Sequence, residues 1–266
     1  MENYDQAILA HYKSVAETCA SSDSCTMDDS TTRDLETSFI IGAVSSEMNS
    51  KKRTSALRLA DFGCGNGYSL AKLAENFPDI HYEGFEFSPE LRSLANKKKD
   101  LPCSVKHCDI RDRSTLPSHI DIVLCQRVLI NLLDSDDQRK ALLNIVNSLS
   151  PGGIFISIEA FQSNLDYLNK CRSELNLDTI PVAHHNKYLH DNFFQIDALS
   201  PLSDENEVNL LSTHYFITRV LHDVALRATQ APFCRNSLFV KFFDMALPLG
   251  VGEFSPLKCN VFRKNS

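Results

Sequence analysis

The sequence predicts an α/β fold built on a doubly wound parallel sheet. Three observations carry that prediction. Short apolar runs alternate with segments of helical period across residues 56–160. The first run breaks into Gly63-x-Gly65-x-Gly67 just before a helical pattern begins. Acids stand at the ends of successive runs, at Glu86 and Asp109. Strands that alternate with helices pair in parallel through right-handed crossovers, which puts helices on both faces of the sheet.

Residues 1–55 read as helical. Ala7, Ile8, Leu9, Tyr12, Val15 and Ala16 fall near helical spacing, and a polar Ser- and Asp-rich loop follows over 21–31. A second helix is expected over 32–48, with Leu35, Phe39, Ile40 and Ala43 on one face and a linker at 45–54. Strand one is 57–62, and the helix after the glycines carries Leu70, Leu73 and Ala74. Strand two is 81–87, and the helix at 89–97 has Pro89 in its first turn. Strands three and four are 104–108 and 120–125. A helix over 136–149 is stopped by Pro151-Gly152-Gly153, and strand five is expected at 154–160. Residues 163–175 read as a helix, 207–222 as a long β-rich run, 225–249 as mostly helical and 258–263 as a closing strand.

Composition narrows the function classes. The chain has 266 residues, 43% hydrophobic and 23% charged, enough for one domain with a full core. A net charge of −7 and a pI of about 5.7 argue against nucleic acid as the main partner. The two basic patches, Lys51-Lys52-Arg53 and Lys97-Lys98-Lys99, read as solvated charge. Nine cysteines form no C-x-x-C pair, which fits reduced thiols and a cytoplasmic location. The first residues lack the basic and apolar regions of a signal peptide, and no apolar run reaches the roughly 20 residues that span a membrane.

In an open parallel sheet, ligands bind beyond the carboxyl ends of the strands. Gly63, Gly65 and Gly67 lay bare backbone after strand one. Glu86 ends strand two, nineteen residues beyond Gly67, where an acid can accept both hydrogen bonds of a ribose diol. Asp109 after strand three can accept from an adenine amine, with Ile110 and Phe87 on the two faces of the ring. A dinucleotide fingerprint is G-x-G-x-x-G, and here the third glycine comes one residue early. Asp61 also stands before the turn, poorly suited to a pyrophosphate and well suited to a sulfonium. These features favour S-adenosylmethionine over a nicotinamide cofactor, with a ligand-free glycine turn as the remaining reading.

At these residues the chain resembles the class I S-adenosylmethionine-dependent methyltransferases. The matching features are Asp61-x-Gly63-x-Gly65-x-Gly67, Glu86, Cys108-Asp109-Ile110 and Leu149-Ser150-Pro151-Gly152-Gly153. The resemblance implies a Rossmann-like, seven-stranded sheet with its last strand antiparallel, N-terminal helices and a helical insert before the final strand. The chain reads as one domain over 1–266, with a cofactor-binding core at 56–160, an acceptor-side segment at 161–266 and N-terminal helices at 1–55 that form a lid or else pack on the sheet edge. The turn from Gly63 to Gly67, with Cys64 in a variable slot, would face the methionyl part. Glu86 would hold the ribose and Asp109 the adenine, with Gln126 nearby at the end of strand four.

The acceptor pocket belongs over the strand ends. His184 and His185, followed by Asn186 and Tyr188, are candidates to take a proton or touch the acceptor. Glu159 ends strand five and is expected at the cleft rim as a base or orienting group. Arg127 and Arg219 are candidates to hold an acceptor carboxylate or phosphate. Each of these residues also has an ordinary structural reading. Tyr4, His11, Tyr12, Met27 and Arg33 are candidates to close over the methionine end, with Arg33 on its carboxylate. No metal is expected. The reading is methyl transfer to O or N of a small molecule or saccharide. The alternatives are a protein or peptide methyltransferase and a non-catalytic S-adenosylmethionine-binding regulator. Gln126-Arg127-Val128-Leu129 follows strand four where a Pro-Pro-aromatic run sometimes marks amino methylation of bases or amides, which counts against that chemistry.

Overall fold

The structure is a computed structural model that describes residues 4–19, 29–50, 56–234 and 236–265. Met27, Cys25 and the basic patch at 51–53 lie outside the described residues. Helices α1 (Asp5–Cys19) and α2 (Ser30–Ser50) lead into β1 (Arg58–Phe62). Then α3 (Tyr68–Asn76), β2 (His81–Glu86), α4 (Pro89–Ala95), β3 (Val105–His107), β4 (Ile120–Gln126), α5 (Ser135–Ser148), β5 (Leu149–Ala160) and α6 (Gln162–Glu174) alternate. The rest holds β6 (Leu199–Pro201), α7 (Glu205–Val208), α8 (Ser212–Phe216), α9 (His222–Thr229), α10 (Leu238–Ala246) and β7 (Leu257–Lys264).

The strands form one seven-stranded sheet in the order β3-β2-β1-β4-β5-β7-β6. Strands β1 to β5 are parallel, and β7 runs antiparallel between β5 and β6. The last strand is therefore antiparallel, as the sequence resemblance implies. Leu59, Phe62, Ile122, Leu124, Phe155 and Ile156 are fully buried along β1, β4 and β5, which makes these three strands the centre of the core. The strand order reverses between β1 and β4, so a crevice opens at their carboxyl ends.

Three local expectations are corrected. Pro151-Gly152-Gly153 does not precede strand five but forms a bulge inside β5, where Ile120 pairs Leu149 and Ile122 already pairs Ile154. Gly152 has φ 70°, and a Cβ on Gly153 would sit 3.0 Å from two carbonyl oxygens. The run 207–222 is not β but α7, α8, a π-helical turn over Ile217–Leu221 and the start of α9. Its β-branched residues suggest strand, yet the buried residues Leu211, His214, Ile217, Thr218 and His222 recur every three to four positions. On α2 the fully buried face is not the apolar one expected. It holds Thr32, Glu36, Ile40, Val44 and Glu47, while Leu35, Phe39 and Ala43 pack at its margin. The two acids tolerate burial because Glu36 pairs with Arg127 and Glu47 with Arg263 at 2.9 Å.

The C-terminal helices are tied to α2 by a buried charged cluster. His214 is bonded to Asp29 at 3.0 Å through one ring nitrogen and to Asp244 at 2.9 Å through the other. Asp29 caps α2 by accepting from the Thr32 amide and also pairs with Arg219 at 3.1 Å. Burial opposes the charged imidazole, but hydrogen bonds to Asp244 and Asp29 outweigh it and raise the pKa of His214. A raised pKa means stability that is present below the unfolded value near 6.5 and lost as pH rises through the folded value. His214→Gln is thus expected to lose about 3 kcal/mol of unfolding free energy at about pH 6 and less at about pH 9, measured by urea denaturation. A loss independent of pH would show that His214 is not held as a cation.

Candidate active site

Gly63, Gly65 and Gly67 all have positive φ, at 77°, 55° and 77°. A Cβ on Gly63 would meet Val128 Cγ2 at 2.2 Å and one on Gly67 would meet Leu101 Cδ1 at 2.5 Å. Around Gly65 a Cβ would meet nothing within 4 Å, so this is the glycine whose bare backbone faces open space. The Gly65 amide donates to Glu86 Oε2 and the Ser88 amide to Glu86 Oε1, each at 2.8 Å. Burial raises the Glu86 pKa, and these backbone donors oppose the rise. Each carboxylate oxygen keeps a further lone pair for a diol. Asp61 is corrected in one respect. It is buried beneath the turn and is not part of the cleft lining, and burial, with Glu86 adding repulsion, pushes its pKa up to about 8.

The turn opens into a cleft of about 840 Å3. Of the expected cofactor residues, Tyr12, Arg33, Gly63, Cys64, Gly65, Glu86, Phe87, Asp109, Ile110 and Gln126 line it, and Asp61 and Gly67 do not. Asp109 is gripped by Arg111, whose guanidinium reaches its carboxylate at 2.7 Å. Burial works against its ionisation, but the Arg111 hydrogen bonds prevail and hold its pKa below the usual carboxylate range. Arg111 also donates to both oxygens of Asp5, at 2.8 and 3.0 Å, and to Tyr4. One arginine thereby fastens α1 to the end of β3. Gln126 accepts from Ser69 and donates to Glu36. The Arg33 guanidinium lies 5.2 Å over the Tyr68 ring, and its buried Nε has no hydrogen-bond partner, with Asp34 Oδ1 3.6 Å away. A cationic donor so loosely paired suits a ligand carboxylate, and the open face at Gly65 suits the chain that carries it.

Beyond this half the cleft continues to Arg127, Asn131, Ala183, His185 and Asn186. Arg127, at φ 56°, pairs with Glu36. Tyr12 donates to Asn131 Oδ1 at 2.6 Å, and Asn131 donates to Asn186 at 2.8 Å, which joins α1 to the loop after α6. Burial, with His11 and His184 nearby, pushes the His185 pKa down to about 4. Glu159 is not at the cleft rim. It is fully buried and accepts the amides of Val128, Leu129 and Ile130 at 2.9, 2.9 and 3.2 Å. His184, Tyr188 and Arg219 also lie outside the lining. Arg219 faces Asp29 and stacks 4.5 Å from the Tyr215 ring. The sequence reading misses Arg111, Asn131 and Glu36. Their partners lie on elements distant in sequence, and no spacing rule marks them.

Known proteins resemble this chain in sequence and in fold. Residues 59–153 match the family profile described as a methyltransferase domain. The malonyl-[acyl-carrier protein] O-methyltransferase of Bacillus cereus is 22% identical over 200 residues, which cover 70% of this chain and 72% of that protein. The N-methyltransferase NodS of Bradyrhizobium japonicum, solved with S-adenosyl-L-homocysteine, superposes with TM-score 0.55 at 17% identity, over 96% of this chain and 98% of that one. An S-adenosylmethionine-dependent methyltransferase of Clostridium acetobutylicum superposes with TM-score 0.54 at 14% identity, over 96% and 99%. At these identities the two solved structures share the fold. Residues 59–153 thus match a methyltransferase domain, and with the glycine turn and the acid that closes it they support a class I S-adenosylmethionine-dependent methyltransferase, subfamily unspecified.

Proposed function

We propose that this enzyme transfers the methyl group of S-adenosylmethionine to an oxygen or nitrogen of a small-molecule or saccharide acceptor. The observation that carries the proposal is one continuous cleft under α1, with cofactor-type groups at one end and Arg127, Asn131 and His185 at the other. Its volume of about 840 Å3 lies in the range of small-molecule sites, roughly 300–1,000 Å3, and speaks against a long peptide groove.

In this reading Glu86 accepts the ribose hydroxyls, Phe87 and Ile110 enclose the adenine, and Asp109 accepts from its amine. Arg33 takes the methionyl carboxylate. The bound cofactor supplies an already activated methyl group, so the chain's own task is alignment in a dry cleft. Helix α1, held by Arg111–Asp5 and Tyr12–Asn131, is the lid that excludes water. Arg127 retains donors on the cleft side and orients an anionic part of the acceptor. His185 stays neutral at physiological pH and orients the nucleophile through a hydrogen bond, with His184 flanking it. No helix among the described residues is long and apolar enough to cross a membrane, and seven described cysteines are free, which supports a reduced, cytoplasmic setting.

Calorimetry with S-adenosylhomocysteine is expected to show one saturable site per chain, and Glu86→Gln to weaken it about tenfold or more. Unchanged affinity in Glu86→Gln would remove the ribose assignment, and no binding in the unaltered protein would remove the function. Labelled methyl transfer screened over metabolite fractions tests the acceptor class, with label expected in small molecules. Label found only in protein would favour the peptide reading. With that acceptor, His185→Gln is expected to lower kcat/KM about 10- to 100-fold with little change in S-adenosylhomocysteine affinity.

A further inference from the structure

Three imidazoles meet where α1 passes the loop after α6. His11 comes from the helix, and His184 and His185 come from the loop. Their ligand nitrogens all lie within 4.8 Å of one another. The His11 and His185 rings stack with centroids 3.7 Å apart, and His184 stands edge-on to them at 6.1 and 5.1 Å. Among the described residues no ion pair or side-chain hydrogen bond satisfies any of these rings, and the Nδ1 of His185 is buried without a partner. Three imidazoles crowded together without a carboxylate leave their lone pairs uncompensated, and a buried nitrogen without a partner carries a desolvation cost.

One cation relieves all three. We infer that His11, His184 and His185 form a binding site for a divalent transition-metal ion of the zinc type. Imidazole nitrogen suits Zn2+, Co2+ or Ni2+, whereas Mg2+ and Ca2+ demand oxygen ligands that this cluster lacks. Three protein nitrogens leave at least one coordination position open. His11 and His185 line the cleft, so that position faces the acceptor end, open to water or to an acceptor donor atom. The site also joins the helix over the cleft to the acceptor loop, so metal and lid closure are coupled. Nitrogens bound at about 2.0–2.1 Å to one ion sit roughly 3.3 Å apart. The near-parallel stack of His11 and His185 opens by side-chain rotation to reach that arrangement. The inference departs from the expectation of no metal: His11 lies far in sequence from the other two and no spacing motif links them.

Chelator-stripped protein titrated with Zn2+ alone is expected to bind one ion per chain by calorimetry. Co2+ is expected to give d–d absorption without a thiolate charge-transfer band, since no cysteine belongs to the cluster. His184→Ala removes an exposed ring and is expected to weaken Zn2+ binding at least about tenfold, with unchanged circular dichroism. In the unaltered protein, long-range 1H–15N spectra are expected to show three of the nine imidazoles shifting with Zn2+. The inference is overturned by the absence of saturable one-to-one binding, by a thiolate band, by shifts at other histidines, or by equal affinity in the His11→Ala/His184→Ala double variant. Binding of S-adenosylhomocysteine is measured separately, so failure of the metal site leaves the methyltransferase reading standing.

Discussion

Glu159 has no water to solvate it, so its carboxylate takes its hydrogen bonds from the backbone of the turn after β4. Burial pushes its pKa up to about 7, and the amides of Leu129, Val128 and Ile130 act against that rise. The three amides belong to consecutive residues, so one side chain on β5 fixes the path of the chain where it leaves β4. Everything that meets in the cleft is referred to this path. Val128 packs against Gly63 so closely that a Cβ there has no room. Arg127, in the left-handed region, reaches Glu36 on α2. Asn131 receives Tyr12 from α1. A carboxylate expected to do chemistry is instead the strut on which the cofactor wall, the acceptor wall and both N-terminal helices depend.

Charge is partitioned along the cleft. Below the glycine turn lie Asp61 and Glu86, two buried acids whose pKa values are raised by desolvation, that of Asp61 also by repulsion from Glu86. A positive charge on a ligand above them would favour the ionised forms of these acids. Two arginines, Arg33 and Arg127, also line the cleft. That arrangement favours a ligand with positive charge near the turn and carboxylates at its extremities. It also explains why α1 is bound down by Arg111 and Tyr12 and not by apolar packing alone. A polar fastening can release and re-form as ligands pass.

The core of the fold was legible because its signals are local. Apolar runs, the glycine turn and the Pro89 helix start each lie within a few residues, and β1 to β4 and β7 fall within one or two residues of their expected bounds, whereas β5 starts five residues early and β6 carries no such signal. Glu86 and Ile110 were legible for the same reason, as each ends or follows a strand. The rest was decided at a distance. Glu36 and Glu47 hide on the buried face of α2 because their arginines lie on β4's exit turn and on β7. Residues 207–222 contain the β-branched pattern of a strand and fold as helices, with His214 held between Asp29 and Asp244 on distant elements. Glu159 looked like a rim residue because a strand end alone does not reveal a turn waiting for three hydrogen bonds.

The most direct measurement is a crystal structure of the protein with S-adenosylhomocysteine. The account predicts the ribose hydroxyls on Glu86, the adenine between Phe87 and Ile110, the carboxylate at Arg33, and the sulfur turned toward Arg127, Asn131 and His185. A ligand bound elsewhere, or seated with its sulfur turned away from that wall, would contradict it.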